Sequence, residues 1–377
     1  MSEKVRFGII GAGTIAIEGH IPAIKDTSNA ELVAICRRNK EKVNRLAKKF
    51  NVPEVYCDYR NLIKSKNVDV VIVATPNACH KENTIYSAKK GKHVFCEKPM
   101  ATNLKDAKEM TRVCEENKVK LQIGFNQRFF NHVKIVKRLI EENVIGEVKA
   151  FNATYREGWD LYPVESDYRN HADLSGGACL IDLGIHKIDL VRYLLGEIKE
   201  ICAEVKHSVM PAKLDDNAFL LCNLNNGITG CVSSDRFSPA VDGSFSIFGT
   251  KGMIYFNTEI YSPFGPVPLS VYTKKSSETI PDFVREYFYP QYVESKAEKS
   301  WINITPPNQN SYQKQIEDFC QSILKDKKPS VTGQDGLKAL EVVLAAYKSA
   351  KERKWINLPL KEDIVDLPDF EEIQSEE

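Results

Sequence analysis

The chain has 377 residues, 42% of them hydrophobic and 27% charged, enough to bury a full core and to fill two domains of ordinary size. Its 52 Lys and Arg nearly cancel its 51 Asp and Glu, and the net charge of +1 offers no field to hold a polyanion, which argues against nucleic acid as a partner. No stretch is apolar for long enough to span a bilayer, and Met1-Ser2-Glu3-Lys4-Val5 enters a strand-like run without a signal-peptide core, which implies a cytoplasmic protein with no membrane partner.

Val5 to Ile10 is apolar without polar alternation, as expected of a strand buried in a parallel sheet. Gly11-Ala12-Gly13-Thr14-Ile15-Ala16 follows at once, a G-x-G-x-x-G/A fingerprint placed where a strand turns into a helix. Gly11 allows the tight turn, Gly13 lets the backbone approach a pyrophosphate, and small Ala16 lets the helix pack close to the strand. Free amides and the helix dipole then favour a diphosphate, so Gly11, Gly13, Thr14 and Ile15 are candidate cofactor-binding residues.

The second strand, Glu31 to Ile35, ends at Cys36-Arg37-Arg38-Asn39, ahead of a helix from Lys40 to Phe50. An NAD site usually carries an acidic residue here to accept from the ribose 2′-hydroxyl, whereas Arg37 and Arg38 suit a 2′-phosphate. The cofactor expected is NADP, with NAD as the alternative. The competing reading makes both arginines the solvated start of the helix.

After a short element near Tyr56 and a helix near Arg60 to Lys66, the strand Asp69 to Ala74 ends at Thr75-Pro76-Asn77, and His80 opens a helix running to Lys90. Thr75, Asn77 and His80 fall at the sheet edge where ligands bind, and Asn77 is also a good N-cap candidate. The strand His93 to Cys96 stops at Glu97-Lys98-Pro99, placing a carboxylate and an amine at that same edge. A helix from Leu104 to Asn117, capped by Thr102 or Asn103, and a strand from Leu121 to Phe125 complete the unit, with Asn126 just past the strand end. Repeated βαβ order of this kind is a doubly wound Rossmann sheet.

Beyond a helix around Val133 to Glu142 the pattern changes. Strand-like runs at Val148 to Tyr155, Ile201 to His207, Ala218 to Leu224, Ile228 to Ser234, Phe245 to Phe248 and Met253 to Phe256 are joined by turn signals such as Asn226-Gly227. They describe a second domain on a mostly antiparallel, open-faced sheet. Within it one helix, Ala178 to Leu195, is entered through Ser175-Gly176-Gly177 and left at Gly196. Asp182, His186 and Asp189 recur on it at i, i+4 and i+7 and are expected to share a face, so a carboxylate one turn away can orient an imidazole for acid/base work. A packed structural pair is the competing reading, and no third ligand at recognisable spacing supports a metal.

Thr258 to Asn310 shows weak periodicity, two helices (Ser311 to Lys325, Gly336 to Lys351) and a strand near Trp355 to Leu358 follow, and the acidic tail should be frayed. The 10 cysteines are scattered with no C-x-x-C pair and read as reduced core residues. The domains expected are 1–127 for the dinucleotide, 128–360 for the second, mostly antiparallel sheet, and a tail at 361–377.

Taken in order, the glycine turn at Gly11-Ala12-Gly13, Ala74-Thr75-Pro76-Asn77 with His80, Gly91-Lys92-His93-Val94 leading to Glu97-Lys98-Pro99, and Ser175-Gly176-Gly177 with Asp182 and His186 resemble the Gfo/Idh/MocA family of NAD(P)-dependent sugar and polyol oxidoreductases. The resemblance covers the chain to about Leu360. It implies that Lys98, Asp182 and His186 form the catalytic group, that the Lys98–Pro99 bond is cis, and that the C-terminal sheet builds a homodimer or homotetramer. It also implies hydride transfer between NADP(H) and a carbinol carbon of a sugar, sugar derivative or cyclitol, with Glu97 and Lys98 near the cofactor. Arg156, Trp159, Tyr168 and Arg169, just before the catalytic helix, are candidate substrate contacts beside Lys98, Asp182 and His186. Two rival functions are a redox-inert sensor that keeps the fold, and a glycosidase that uses held NAD for transient oxidation.

Overall fold

The computed structural model describes residues 4–158, 167–210, 213–259, 268–273, 280–287, 301–368 and 370. Two compact units divide the chain, and they interleave rather than meet at residue 127. The first comprises Met1–Asn126, Pro163–Gly176 and Asn310–Leu340, and the second Gln127–Tyr162, Gly177–Gln309 and Glu341–Glu377.

In the first unit, β1 (Val5–Ile10), β2 (Ala30–Cys36), β3 (Glu54–Tyr56), β4 (Val70–Val73), β5 (His93–Cys96) and β6 (Leu121–Ile123) form a six-stranded sheet in the order β3-β2-β1-β4-β5-β6. Every pairing is parallel. The strand order reverses between β1 and β4, which is the switch point where such sheets open a crevice. Register aligns Ile10 with Val73, Val73 with Cys96 and Cys96 with Ile123, so the loops after β1, β4, β5 and β6 leave from one edge.

Local chemistry sets the helices. Asn39 caps the helix Lys40–Phe50 by accepting from the Lys42 amide at 2.9 Å, and Asn103 caps Leu104–Glu116 by accepting from the Asp106 amide at 2.9 Å. After the glycine turn the chain winds as a π-helix over Ala16–His20 before Ile21–Lys25 continues as an α-helix, a local widening that the G-x-G-x-x-A spacing does not announce. The helix Ser311–Leu324, far along the chain, returns to this unit and packs Ile316, Phe319 and Cys320 against Phe7, Ile24 and Phe95.

In the second unit, β7 (Val148–Arg156), β8 (Ile198–Lys206), β9 (Asn217–Leu224), β10 (Thr229–Asp235), β11 (Ser244–Gly249), β12 (Gly252–Asn257), β13 (Leu269–Thr273), β14 (Trp301–Ile304) and β15 (Ile356–Asn357) form one nine-stranded sheet. The sheet is antiparallel except where β10 pairs with β7. On β9, Ala218, Leu220, Cys222 and Leu224 point inward while Phe219 and Leu221 are 50% and 56% exposed, the alternation of a sheet covered on one face.

Three expectations change. Cys57 and Cys79 are exposed, so the cysteines are not all core residues, although all ten are free. The region after Thr258 contains β13, a short helix Asp282–Arg285 and β14. The tail is tied down over its first residues, where Glu362 pairs with Lys348 at 2.5 Å and Asp366 with Lys351 at 3.3 Å; residues 371–377 lie outside the described ones. Among the described residues no helix is long and apolar enough to cross a membrane.

Candidate active site

The glycine turn has the shape a diphosphate needs. Gly11 sits at φ +84°, and a Cβ there would collide with the Ala74 carbonyl, so only glycine fits between the ends of β1 and β4. The Gly11 and Ala12 amides donate to Cys36 O at 3.1 and 3.2 Å, pinning the turn to β2. Gly13 instead opens outward: a Cβ there would meet only Gly11 O, at 3.9 Å, leaving an uncovered backbone surface beside exposed Thr14 and half-buried Ile15. These residues fit a dinucleotide diphosphate at the start of a helix.

The two arginines separate. Arg37 donates from Nη1 to Ala12 O at 3.2 Å and so braces the glycine turn from beneath, whereas Arg38 is exposed at the end of β2. At the end of β4, Thr75 donates to Asn83 Oδ1 at 2.9 Å. Asn77 is not the cap expected from sequence: its side chain donates to Ser175 O at 2.8 Å, a partner 98 residues away that no local pattern reveals. His80 is buried with Nδ1 2.9 Å from Pro99 O and Nε2 2.8 Å from Thr75 O. Burial pushes its pKa below the ordinary histidine range, and the two carbonyls pull it partly back. The ring packs between the loop after β4 and the loop after β5, and in its neutral form it donates to one of the two carbonyls at a time.

That second loop carries Glu97 and Lys98. Glu97 is held by buried His20, whose Nε2 lies 2.7 Å from Oε1, and a Cβ at Gly124 would sit 2.9 Å from both carboxylate oxygens. The Lys98 amide donates back to Glu97 Oε2 at 3.2 Å, the Lys98–Pro99 bond is cis, and the Lys98 side chain is half-buried. Asn126, half-buried, opens the 3₁₀ turn Asn126–Phe129 past β6. His20 is the participant that the sequence reading missed; a lone histidine seven residues beyond the second glycine carries no motif of its own.

In the second unit, the segment bearing Asp182 and His186 is not one regular α-helix. A π-helical turn, Leu180–Gly184, carries Asp182, and the α-helix Ile185–Leu195 carries His186. Asp215, fully buried, accepts from the Ala178 and Leu180 amides at 2.7 Å each and from Tyr347 Oη at 3.2 Å, doing for this helix start what a local cap does elsewhere. Burial raises the Asp215 pKa to about 6, against the pull of those donors. Gly177, at φ +127°, has Tyr347 Oη where a Cβ would stand.

Asp182 pairs with Arg236, and buried Arg236 also binds Glu157 at 3.0 Å, so the carboxylate belongs to a half-buried chain Glu157–Arg236–Asp182. His186 is 7% exposed and meets the Tyr155 ring edge-on at 5.8 Å. Arg236, Glu157 and Tyr155 were not found from sequence, since each reaches the site only through sheet pairing. Arg156 lies 3.4 Å from Asp235, Arg169 stacks over Tyr168 at 4.9 Å, and Trp159 lies outside the described residues.

Asp189 does not share a working face with Asp182 and His186. It is 1% exposed and accepts from Nε and Nη2 of Arg128 at 2.7 and 2.5 Å. The π-turn shifts the angular spacing, and Arg128 claims the carboxylate. Asp189→Ala removes the carboxylate that buried Arg128 bonds and should lower unfolding stability by about 3–5 kcal/mol, read from urea denaturation; a loss below about 1 kcal/mol would show the pair to be incidental.

A parallel sheet with a glycine turn, joined in one chain to a mostly antiparallel sheet bearing an imidazole and a carboxylate on adjacent turns, defines a two-unit dinucleotide-dependent oxidoreductase. A family model described as an oxidoreductase family with an NAD-binding Rossmann fold matches residues 5–125, and its companion C-terminal α/β domain matches residues 137–358. The chain belongs to the Gfo/Idh/MocA oxidoreductase family. It is 29% identical over 360 residues to myo-inositol 2-dehydrogenase of Thermotoga maritima, covering 94% of this chain and 98% of that protein. It is 32% identical over 251 residues to glucose-6-phosphate 3-dehydrogenase of Bacillus subtilis, covering 64% and 71% respectively. Among solved structures, levoglucosan dehydrogenase in complex with NADH and levoglucosan superposes with a TM-score of 0.82 at 25% identity, over 95% of this chain and 100% of that one.

Proposed function

We propose that this enzyme oxidises a carbinol, or reduces the matching carbonyl, of a sugar, sugar derivative or cyclitol, with NADP(H) preferred over NAD(H). A bound nicotinamide dinucleotide supplies the hydride acceptor or donor. The observation that carries the reading is half-buried Lys98, which follows β5 at the same sheet edge as the glycine turn.

In the oxidation direction His186 takes the hydroxyl proton, the negative charge of Asp182 one turn away favours the imidazolium that forms, and Lys98 stabilises charge developing on the reacting oxygen. Gly11, Gly13, Thr14, Ile15, Arg38, Thr75, Glu97, Lys98 and Asn126 line the dinucleotide, with Arg37, Asn77 and His80 acting through the backbone they brace. Arg156, Tyr168 and Arg169 serve substrate selection. The first unit carries the dinucleotide role, and the second carries the catalytic pair and the assembly role, the exposed Phe219 and Leu221 supporting a homodimer or homotetramer through the open sheet face.

The test is an initial-rate screen of sugars, sugar phosphates, nucleotide sugars and inositols with each dinucleotide. Net formation of reduced dinucleotide is expected with one substrate class. Binding without turnover would favour a sensor, and turnover without net reduction a glycosidase. The NADP preference has its own test in Arg38→Ala, which removes a charge-assisted contact worth on the order of 1.5–3 kcal/mol. NADPH affinity should fall accordingly with NADH affinity nearly constant; equal weakening of both would refute the assignment.

A further inference from the structure

The residue after His186 is a lysine with no exposed surface. Lys187 Nζ donates to Thr258 Oγ1 at 2.7 Å, to Gly243 O at 2.9 Å and to Gln127 Oε1 at 3.4 Å. Its neighbours on the same helix, Ile188, Leu190, Val191 and Leu194, are the apolar residues that such a position ordinarily takes. Burying an ammonium there is costly, and an apolar side chain of similar volume would serve the fold as well or better. Packing alone therefore gives no reason for the charge.

The surroundings supply one. The Lys187 ammonium stands 5.1 Å from the centroid of the Tyr155 ring, a cation against an aromatic face, and the same ring meets the His186 imidazole at 5.8 Å with the planes inclined by 62°. The Tyr155 hydroxyl bonds Glu259, whose pKa is raised to about 7 by burial while Lys187 draws it down. Tyr155 is thus held by the ammonium over its ring and by the bond at its hydroxyl, and the imidazole packs against that held ring.

We propose that Lys187 and Tyr155 are positioning residues for His186: the buried ammonium locks the Tyr155 ring, and the ring holds the imidazole in the plane from which it exchanges a proton with substrate. The inference rests on the reading of His186 as the general acid/base. It assigns no proton transfer to either residue.

The test compares Tyr155→Leu, Tyr155→Phe, Lys187→Met and His186→Ala in the full-length enzyme, each normalised to folded protein by its dinucleotide affinity and thermal transition. Tyr155→Leu and Lys187→Met should lower kcat by about tenfold to 10²-fold, the scale of a misplaced catalytic group, with KM little changed. Tyr155→Phe keeps the ring and should lose far less than Tyr155→Leu, a rescue that a merely structural role does not produce. Should Lys187→Met fail to fold, the two Tyr155 variants decide. Wild-type kcat in folded Tyr155→Leu, beside an inactive His186→Ala, would overturn the positioning role alone; an active His186→Ala would overturn both it and the reading beneath it.

Discussion

His186→Ala is expected to reduce kcat by about 10²- to 10⁴-fold, the usual contribution of a positioned acid/base, while dinucleotide affinity is retained. The retention follows from the chain's organisation: the glycine turn and Arg38 belong to the first unit, and His186 belongs to the second. If His186 were only a packed side chain, its loss would lower the thermal transition while each folded molecule kept its rate. Comparing kcat per folded molecule separates the two. Asp182→Asn should also slow turnover, because an amide cannot stabilise an imidazolium by charge. It further removes one carboxylate partner of Arg236 while leaving the bond to Glu157 in place. A folded Asp182→Asn enzyme with unchanged rate would assign that carboxylate to structure.

Lys98→Ala is expected to lose about 10²- to 10³-fold in kcat, the range seen when one donor to a developing oxyanion is removed. Dinucleotide binding should persist, since the phosphate contacts proposed above lie on the loop after β1 and Lys98 lies on the loop after β5. The loop itself should keep its shape, because Glu97 remains held by His20 and Pro99 O by His80. Lys98→Arg restores the charge on a longer, planar group and should recover only part of the rate. Unchanged turnover in Lys98→Ala would make this lysine a solvated turn residue.

Much of the fold could be read before any coordinates, for a physical reason. Strands buried on both faces, such as Val70–Val73 and His93–Cys96, must be nearly continuous apolar runs, and the sharp turn between β1 and its helix must use glycine. Local periodicity and turn chemistry report both. What stayed hidden depends on pairs distant in sequence. Asn77 looked like a cap because its neighbours are helical, yet its partner is Ser175. Asp189 looked functional by spacing, but Arg128, 61 residues earlier, holds it. The π-turn at Leu180–Gly184 breaks the 3.6-residue arithmetic that put Asp182, His186 and Asp189 on one face. His20 and Arg236 became visible only when the sheets brought them to Glu97 and Asp182.

The most direct test of the central claim uses a substrate from the screen deuterated at its carbinol carbon, followed by mass spectrometry and proton NMR of the dinucleotide. Direct hydride transfer by this enzyme should place deuterium at C4 of the nicotinamide, one atom per molecule of substrate oxidised, with net accumulation of reduced dinucleotide. Substrate binding with no deuterium at C4, or deuterium exchange with no net reduction, would contradict it.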